Sequence, residues 1–208
     1  MKKGYFITIE GIEGAGKSTV IKFIEKLLRE KNIDLVLTRE FGGTEIAEKI
    51  RKILLDHHQE KMHPNTEILL AFAARAQHLE NLIIPSLNSG KWVICDRFTD
   101  TSYAYQGAGR GIDMKKIATL ENFVQGKLRP DYTFLLDLDV HIGFARVKKF
   151  RELDRIEAED IEFFQRIRSC YLERAKSEPE RFIIIDAARP LTQVEEQITA
   201  GMQKIFNQ

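Results

Sequence analysis

Hydrophobic positions fall along this chain in two alternating rhythms. Five short runs are apolar nearly throughout: Tyr5–Glu10, Leu35–Arg39, Trp92–Asp96, Tyr132–Asp137 and Phe182–Asp186, four of which end in a carboxylate. Their length and their Ile, Val, Leu and Phe content predict strands of a sheet covered on both faces. Between them apolar residues recur at helical spacing. Val20, Ile24, Leu27 and Leu28 do so after Lys17; Ile68, Phe72, Ala76, Leu79 and Ile83 between Asn65 and Asn88; Val194, Ile198, Met202 and Ile205 near the end. Pro64 and Gly90 stand where start and stop signals belong around the middle helix. Strand–helix alternation of this kind predicts an α/β domain with a mainly parallel sheet. Lys148–Glu162 breaks the rhythm: dense in charge and poor in apolar residues, it reads as a mobile excursion or as the start of a solvated helix.

Composition narrows the picture. The 208 residues suit one domain with one sizeable core. The 32 basic and 31 acidic side chains leave a formal charge of +1, so nucleic acid is not the expected partner. Cys95 and Cys170 show neither metal-ligand spacing nor a disulfide framework and read as packed thiols. The N-terminus runs straight into a strand without a signal-peptide pattern, and no apolar stretch approaches the ~18 residues of a membrane span. The expectation is a cytoplasmic protein without a membrane partner.

The most specific local signal is Gly11-Ile12-Glu13-Gly14-Ala15-Gly16-Lys17-Ser18. It fits G-x-x-x-x-G-K-[ST] between a predicted strand and a predicted helix. Glycines let the backbone wrap an anion with its N–H groups inward, and the helix N-terminus adds positive potential. In this P-loop Lys17 reaches the β- and γ-phosphates of a nucleoside triphosphate as a mobile charge, and the Ser18 hydroxyl is placed to ligate Mg²⁺. Gly11, Glu13, Gly14, Ala15, Gly16 and Thr19 complete the expected cradle. Asp96-Arg97-Phe98 closes the third predicted strand. A carboxylate there can hold Mg²⁺ or its water, and Arg97 can fork onto a second phosphate. There is no guanine-reading Asn-Lys-x-Asp segment, and Asp96 is followed by arginine rather than a second acid. Both points favour a small-molecule kinase over a GTP switch or a motor ATPase.

Further segments make the likeness specific: Thr38-Arg39-Glu40, Gly42-Gly43-Thr44, Ala73-Ala74-Arg75-Ala76-Gln77-His78, Ala104-Tyr105-Gln106-Gly107, Gly109-Arg110-Gly111 and Glu152-Leu153-Asp154-Arg155-Ile156-Glu157. In this order, with the P-loop and Asp-Arg-Phe, the chain resembles the bacterial thymidylate kinases over nearly its whole length. The resemblance implies the P-loop three-layer fold, a five-stranded parallel sheet flanked by helices, with a mobile lid at about 146–160. It implies phosphoryl transfer from ATP to dTMP, and a homodimer. It implies that Glu13 contacts the acceptor's 3′-hydroxyl and sits near the metal, that Arg97 and Arg39 hold the acceptor's 5′-phosphate, and that Arg75 reaches the thymine edge. Tyr105 crowds the sugar's 2′ position, with Gln106 nearby. Phe72, three residues before Arg75 and on the same predicted helix face, is the candidate to stack on the base; Ser102 is a further candidate for a base edge.

Three departures qualify the likeness. Phe41 stands where the family has proline, so that the acceptor loop is either loosened or gains a ring that packs against the substrate. Ala71 stands where many members carry an aromatic. The lid reads Arg146-Val147-Lys148-Lys149-Phe150-Arg151, which assigns the lid charge to Arg151 with Lys148 and leaves Arg146 to flank the adenine. Selectivity against uridylate or deoxyuridylate stays open at this level, as does a regulator that binds ATP without turnover.

Overall fold

The computed structural model describes residues 4–147 and 154–207. Five strands, β1 (Phe6–Glu10), β2 (Leu35–Arg39), β3 (Trp92–Asp96), β4 (Tyr132–Asp137) and β5 (Phe182–Asp186), form one parallel sheet in the order β2-β3-β1-β4-β5. β1 lies at the centre and all five of its residues are buried. Its side chains alternate between two cores as the pleat requires. Ile7 and Ile9 join Ile94, Val20, Ile24 and Leu28 in the larger one. Phe6 joins Val93, Cys95 and Phe98 in a second, under Leu79 and Ile83. Both cysteines are free and buried.

The helices are α1 (Lys17–Glu30), α2 (Glu45–Leu55), α3 (Pro64–His78), α4 (Ile84–Asn88), α5 (Thr99–Ser102), α6 (Met114–Gln125), α7 (Val140–Val147), α8 (Ile161–Ser177) and α9 (Leu191–Phe206). The single helix expected between Asn65 and Asn88 is interrupted. A π-helical turn over Leu79–Ile83 separates α3 from α4. Pro85 accounts for it, since it offers no N–H to the carbonyl four residues back and its ring crowds that carbonyl. A second π turn, Tyr103–Gly109, follows α5 and carries Tyr105 and Gln106. Such turns are frequent at functional sites because they aim side chains that a regular helix would not.

Pro64 occupies the first turn of α3, as read from the sequence, with the His63 ring accepting from Asn65 N at 3.1 Å. After Asp154, Arg155 anchors its segment to α2 through two bonds to Leu54 O, at 2.9 and 3.0 Å. Lys148 and Arg151, the expected lid charges, lie outside the described residues.

Candidate active site

The C-terminal ends of β1, β2 and β3 border a cavity of about 530 Å³, within the size range of small-ligand pockets. Its first wall is the loop after β1. Gly16, in the left-handed region at φ 93°, turns the chain into α1, and no side chain caps the helix, so the first N–H groups remain available to an anion. Lys17 Nζ donates back across the loop to Gly11 O at 3.2 Å and Ile12 O at 3.0 Å. Burial, with Arg97 nearby, pulls the Lys17 ammonium down to about 8 against the opposing pull of Asp96, Glu13 and Glu10. Gly14 must be glycine. Its φ is +75°, and a Cβ there would meet Gly143 O at 2.4 Å, so the loop rests directly on α7. One turn further along α7, Arg146 donates to Gly14 O at 3.2 Å and to Ala187 O at 3.3 Å.

The second wall is the Asp96–Arg97 corner. Arg97 adopts φ +69°, a strained conformation for a residue with a Cβ, and the surrounding bonds hold it there. Its Nη2 donates to Glu13 Oε1 at 2.8 Å, and its Nη1 to Tyr171 OH at 3.3 Å and Thr101 Oγ1 at 3.4 Å. Tyr105 OH donates to Glu13 Oε2 at 2.7 Å, and the Arg97 guanidinium lies 4.9 Å from the Tyr105 ring centre. Burial works against the Arg97 charge, but Tyr105, Glu13, Tyr171 and Asp96 outweigh it and keep the guanidinium firmly protonated. Behind this corner the Glu10 carboxylate accepts from Phe98 N at 2.7 Å, Thr101 Oγ1 at 2.6 Å and Tyr171 OH at 2.8 Å. Burial and the neighbouring Asp100 push that carboxyl up to about 7.

The third wall comes from the loop after β2 and from α2. Arg39 pairs with Glu48 at 3.0 Å, Gly43 N donates to the other Glu48 oxygen at 2.9 Å, and Arg51 Nη1 donates to Phe41 O at 2.8 Å. Behind it, Glu40 and Arg75 form a pair at 2.7 Å with side chains 2% and 0% exposed. Arg75 Nη2 also donates to Ser102 Oγ at 3.0 Å, while Nη1 is buried without a partner among the described residues.

Of the expected acceptor-binding residues, Glu13, Arg39, Arg97, Tyr105 and Gln106 line the cavity. Arg75, Phe72 and Ser102 lie behind its wall. Phe72 and Arg75 share one face of α3, where they stack on each other, the guanidinium 4.5 Å from the Phe72 ring centre, and Phe72 is 2% exposed. Among the expected ATP and metal residues, Glu13, Gly14, Gly16, Lys17, Ser18 and Thr19 line the cavity, as do Asp96 and Arg146. Gly11 and Ala15 contribute backbone to the loop. The sequence reading missed Arg51, Tyr171 and Glu67. Arg51 sits in what reads as a solvated helix face. Glu67, 1% exposed, takes Gln106 Nε2 at 2.9 Å and Arg155 Nη2 at 2.8 Å, partners scattered along the chain.

A family model described as thymidylate kinase matches residues 9–198. A thymidylate kinase of Pseudomonas fluorescens SBW25 is 55% identical over 197 residues, covering 95% of this chain and 94% of that one. A thymidylate kinase of Vesicomyosocius okutanii is 51% identical over 99% of this chain and 100% of its own length. The crystal structure of thymidylate kinase from Ehrlichia chaffeensis superposes with a TM-score of 0.77 at 34% identity, covering 96% of this chain and 99% of that one.

Proposed function

The chain belongs to the thymidylate kinase family, and from that premise we propose how its cavity divides between donor and acceptor. The protein is a kinase that transfers the γ-phosphoryl group of ATP to dTMP, giving dTDP and ADP. The P-loop N–H groups and Lys17 hold the donor phosphates, with Arg146 beside the adenine. Arg97 and Arg39 hold the acceptor's 5′-phosphate. Arg97 exchanges its bond to Glu13 for a phosphate oxygen, and Glu13, still held by Tyr105, turns to the sugar's 3′-hydroxyl. Gln106 faces the base, and Arg75, fixed by Ser102, backs the wall on that side with its spare Nη1 directed to the thymine edge as the polar group nearest it. Catalysis is positioning and electrostatics. No general base is needed, since a phosphate monoester with a second pKa of ~6 is already ionised near neutrality. Lid charge comes from Arg151 and Lys148, within a segment of about 146–160 in one domain spanning the chain.

The donor set fits Mg²⁺. Asp96 Oδ1 is buried without a partner among the described residues, and Ser18 faces the same cavity. No cluster of three or more His, Cys, Asp or Glu fit for a metal occurs among the described residues; Mg²⁺ bound through one or two carboxylates and substrate phosphates requires none. Glu13, committed to Arg97 and Tyr105, is the third candidate. When bound, Mg²⁺ neutralises charge on the β- and γ-oxygens. Further readings are a homodimer and a cytoplasmic location. For the dimer, Ile46 and Ile53 on α2, Leu69 on α3 and Phe123 on α6 are 51, 47, 57 and 86% exposed, on helices packed side by side. No helix among the described residues is long and apolar enough to cross a membrane.

The observation that carries this reading is the meeting of Lys17, Asp96, Arg97 and Glu13 in one cavity with Gln106 and Tyr105. The test is ADP release by the purified protein with Mg-ATP and each of dTMP, UMP, CMP, AMP and GMP. Strong preference for dTMP is expected. Preference for another monophosphate would overturn the acceptor assignment and leave the P-loop assignment standing.

A further inference from the structure

The cavity has two kinds of wall. Lys17, Ser18, Asp96 and Arg97 make it strongly polar on the phosphate side, whereas Phe41, Leu55 and Ile156 supply apolar surface. A flat base needs an apolar face to rest on, and among the described lining residues only Phe41 and Tyr105 bring a ring. Tyr105 is already taken: its hydroxyl is bound to Glu13, and Arg97 covers its face. Phe72 is covered in the same way by Arg75 and lies behind the wall. Phe41 remains.

Its position is well supported. Phe41 is 6% exposed and packs with Ala47, Leu54, Ala71 and Ala74. The two alanines on α3 leave the room that its ring fills. Arg51 holds the Phe41 carbonyl at 2.8 Å, and Glu48 holds Gly43 N two residues on at 2.9 Å, so the ring is carried on a braced loop.

We propose that Phe41 is the aromatic surface on which the acceptor's base rests, a specificity-determining role delivered from the loop after β2 rather than from α3. The proposal rests on the reading of this cavity as the dTMP site. Base–aromatic stacking is worth about 1–3 kcal/mol by alanine substitution, or about five- to 150-fold in affinity.

The test is calorimetric dTMP binding together with steady-state kinetics for the parent and four variants. Phe41→Ala should weaken dTMP binding about ten- to hundredfold and leave KM for ATP within about twofold. Phe41→Leu fills the same cluster without a π face, so it separates stacking from packing and keeps the test valid if the alanine variant does not fold; it should lose at least about fivefold. Phe41→Tyr should stay within about threefold, and Phe72→Leu should change dTMP affinity less than Phe41→Leu does. A Phe41→Leu variant that binds dTMP as the parent does, or a larger loss in Phe72→Leu, would overturn the proposal. If the parent instead binds another monophosphate, and does so through Phe41, the dTMP reading fails while the role of Phe41 stands.

Discussion

The cavity is flanked by two arginine–carboxylate pairs of the same chemistry and opposite character. Arg97 and Glu13 meet at 2.8 Å with side chains 15% and 18% exposed. Arg75 and Glu40 meet at 2.7 Å with 0% and 2% exposed. The first pair faces the cavity, so each partner can exchange the other for a ligand group without being left in a dry interior. The second pair cannot separate, since a lone charge in its place would be desolvated with nothing to offset the cost. Arg75 is therefore an immobile platform with one free nitrogen, and Arg97 is a movable anchor. Burial rather than residue type assigns the roles.

The sharpest way to break this comparison is to remove Glu40. Glu40→Ala leaves Arg75 buried and unpaired, and His78 Nδ1, 3.5 Å from Glu40 Oε1, loses its carboxylate. A stability loss of about 3–5 kcal/mol is expected in urea denaturation. A loss under about 1 kcal/mol would mean that water reaches the pair and that the platform is no platform. Arg97→Ala comes next and should separate the pairs in the other direction. It should lower kcat/KM for dTMP about 10²–10³-fold, or about 2.7–4 kcal/mol, with a much smaller stability loss than Glu40→Ala. Arg97→Lys should recover little of this, because an ammonium lacks the fork that grips Glu13 and Tyr171 together. If Arg97→Ala instead unfolds the protein as readily as Glu40→Ala, the two pairs are equivalent after all.

How far each pair was legible in the sequence follows from the same contrast. The P-loop, Asp96 and Arg97 were legible because their chemistry is encoded over a few adjacent residues and placed by strand ends. The five strands were legible because runs such as Trp92–Asp96 are apolar on both faces. Arg75 was legible as a residue but not as half of a buried pair. Its partner lies 35 positions away on another element, and helical periodicity gives faces rather than the neighbours across them. The same limit hid Glu10–Tyr171, separated by 161 positions. It also leaves the partner of Phe72 open, because spacing cannot say whether two side chains on one face stack on a ligand or on each other. Phe41 was visible as a departure whose consequence required the packing of α3 behind it.

Glu10 sharpens the comparison as a third case: a buried carboxylate whose hydrogen-bond donors are all neutral. Burial and Asp100 raise it from an ordinary 4.5 to about 7, against the pull of Thr101, Arg97 and Tyr171. The sign follows directly. A group with a raised folded value contributes its stability fully below 4.5 and loses it as pH rises through about 7. Urea denaturation of the parent and of Glu10→Gln at pH 5, 6, 7 and 8 should show the parent losing about 2–3 kcal/mol relative to the variant across that range. A pH-independent difference would mean that Glu10 stays ionised throughout.

The smallest effect is expected where the pair is most exposed. Arg39 and Glu48 are 54% and 40% exposed, and water screens most of their attraction, so Glu48→Ala should cost less than about 1 kcal/mol of stability. Yet the Glu48 carboxyl is held below its ordinary range despite slight burial, by Arg39 and by Gly43 N. The second bond matters more than the first, because Gly43 follows Phe41 on the same loop. A Cβ at Gly43 would meet His78 Nε2 at 2.4 Å and Thr38 Oγ1 at 2.5 Å, so this stretch is packed tightly and has few alternative positions. Losing Glu48 should therefore raise KM for dTMP several-fold while barely moving the melting temperature. Glu45→Ala provides the contrast. It removes a pair with Lys49 that is 83% and 71% exposed on the same helix, and it should change neither quantity. Equal KM values for the two variants would reduce Glu48 to a surface ion pair and leave Arg51 as the brace that sets the acceptor loop.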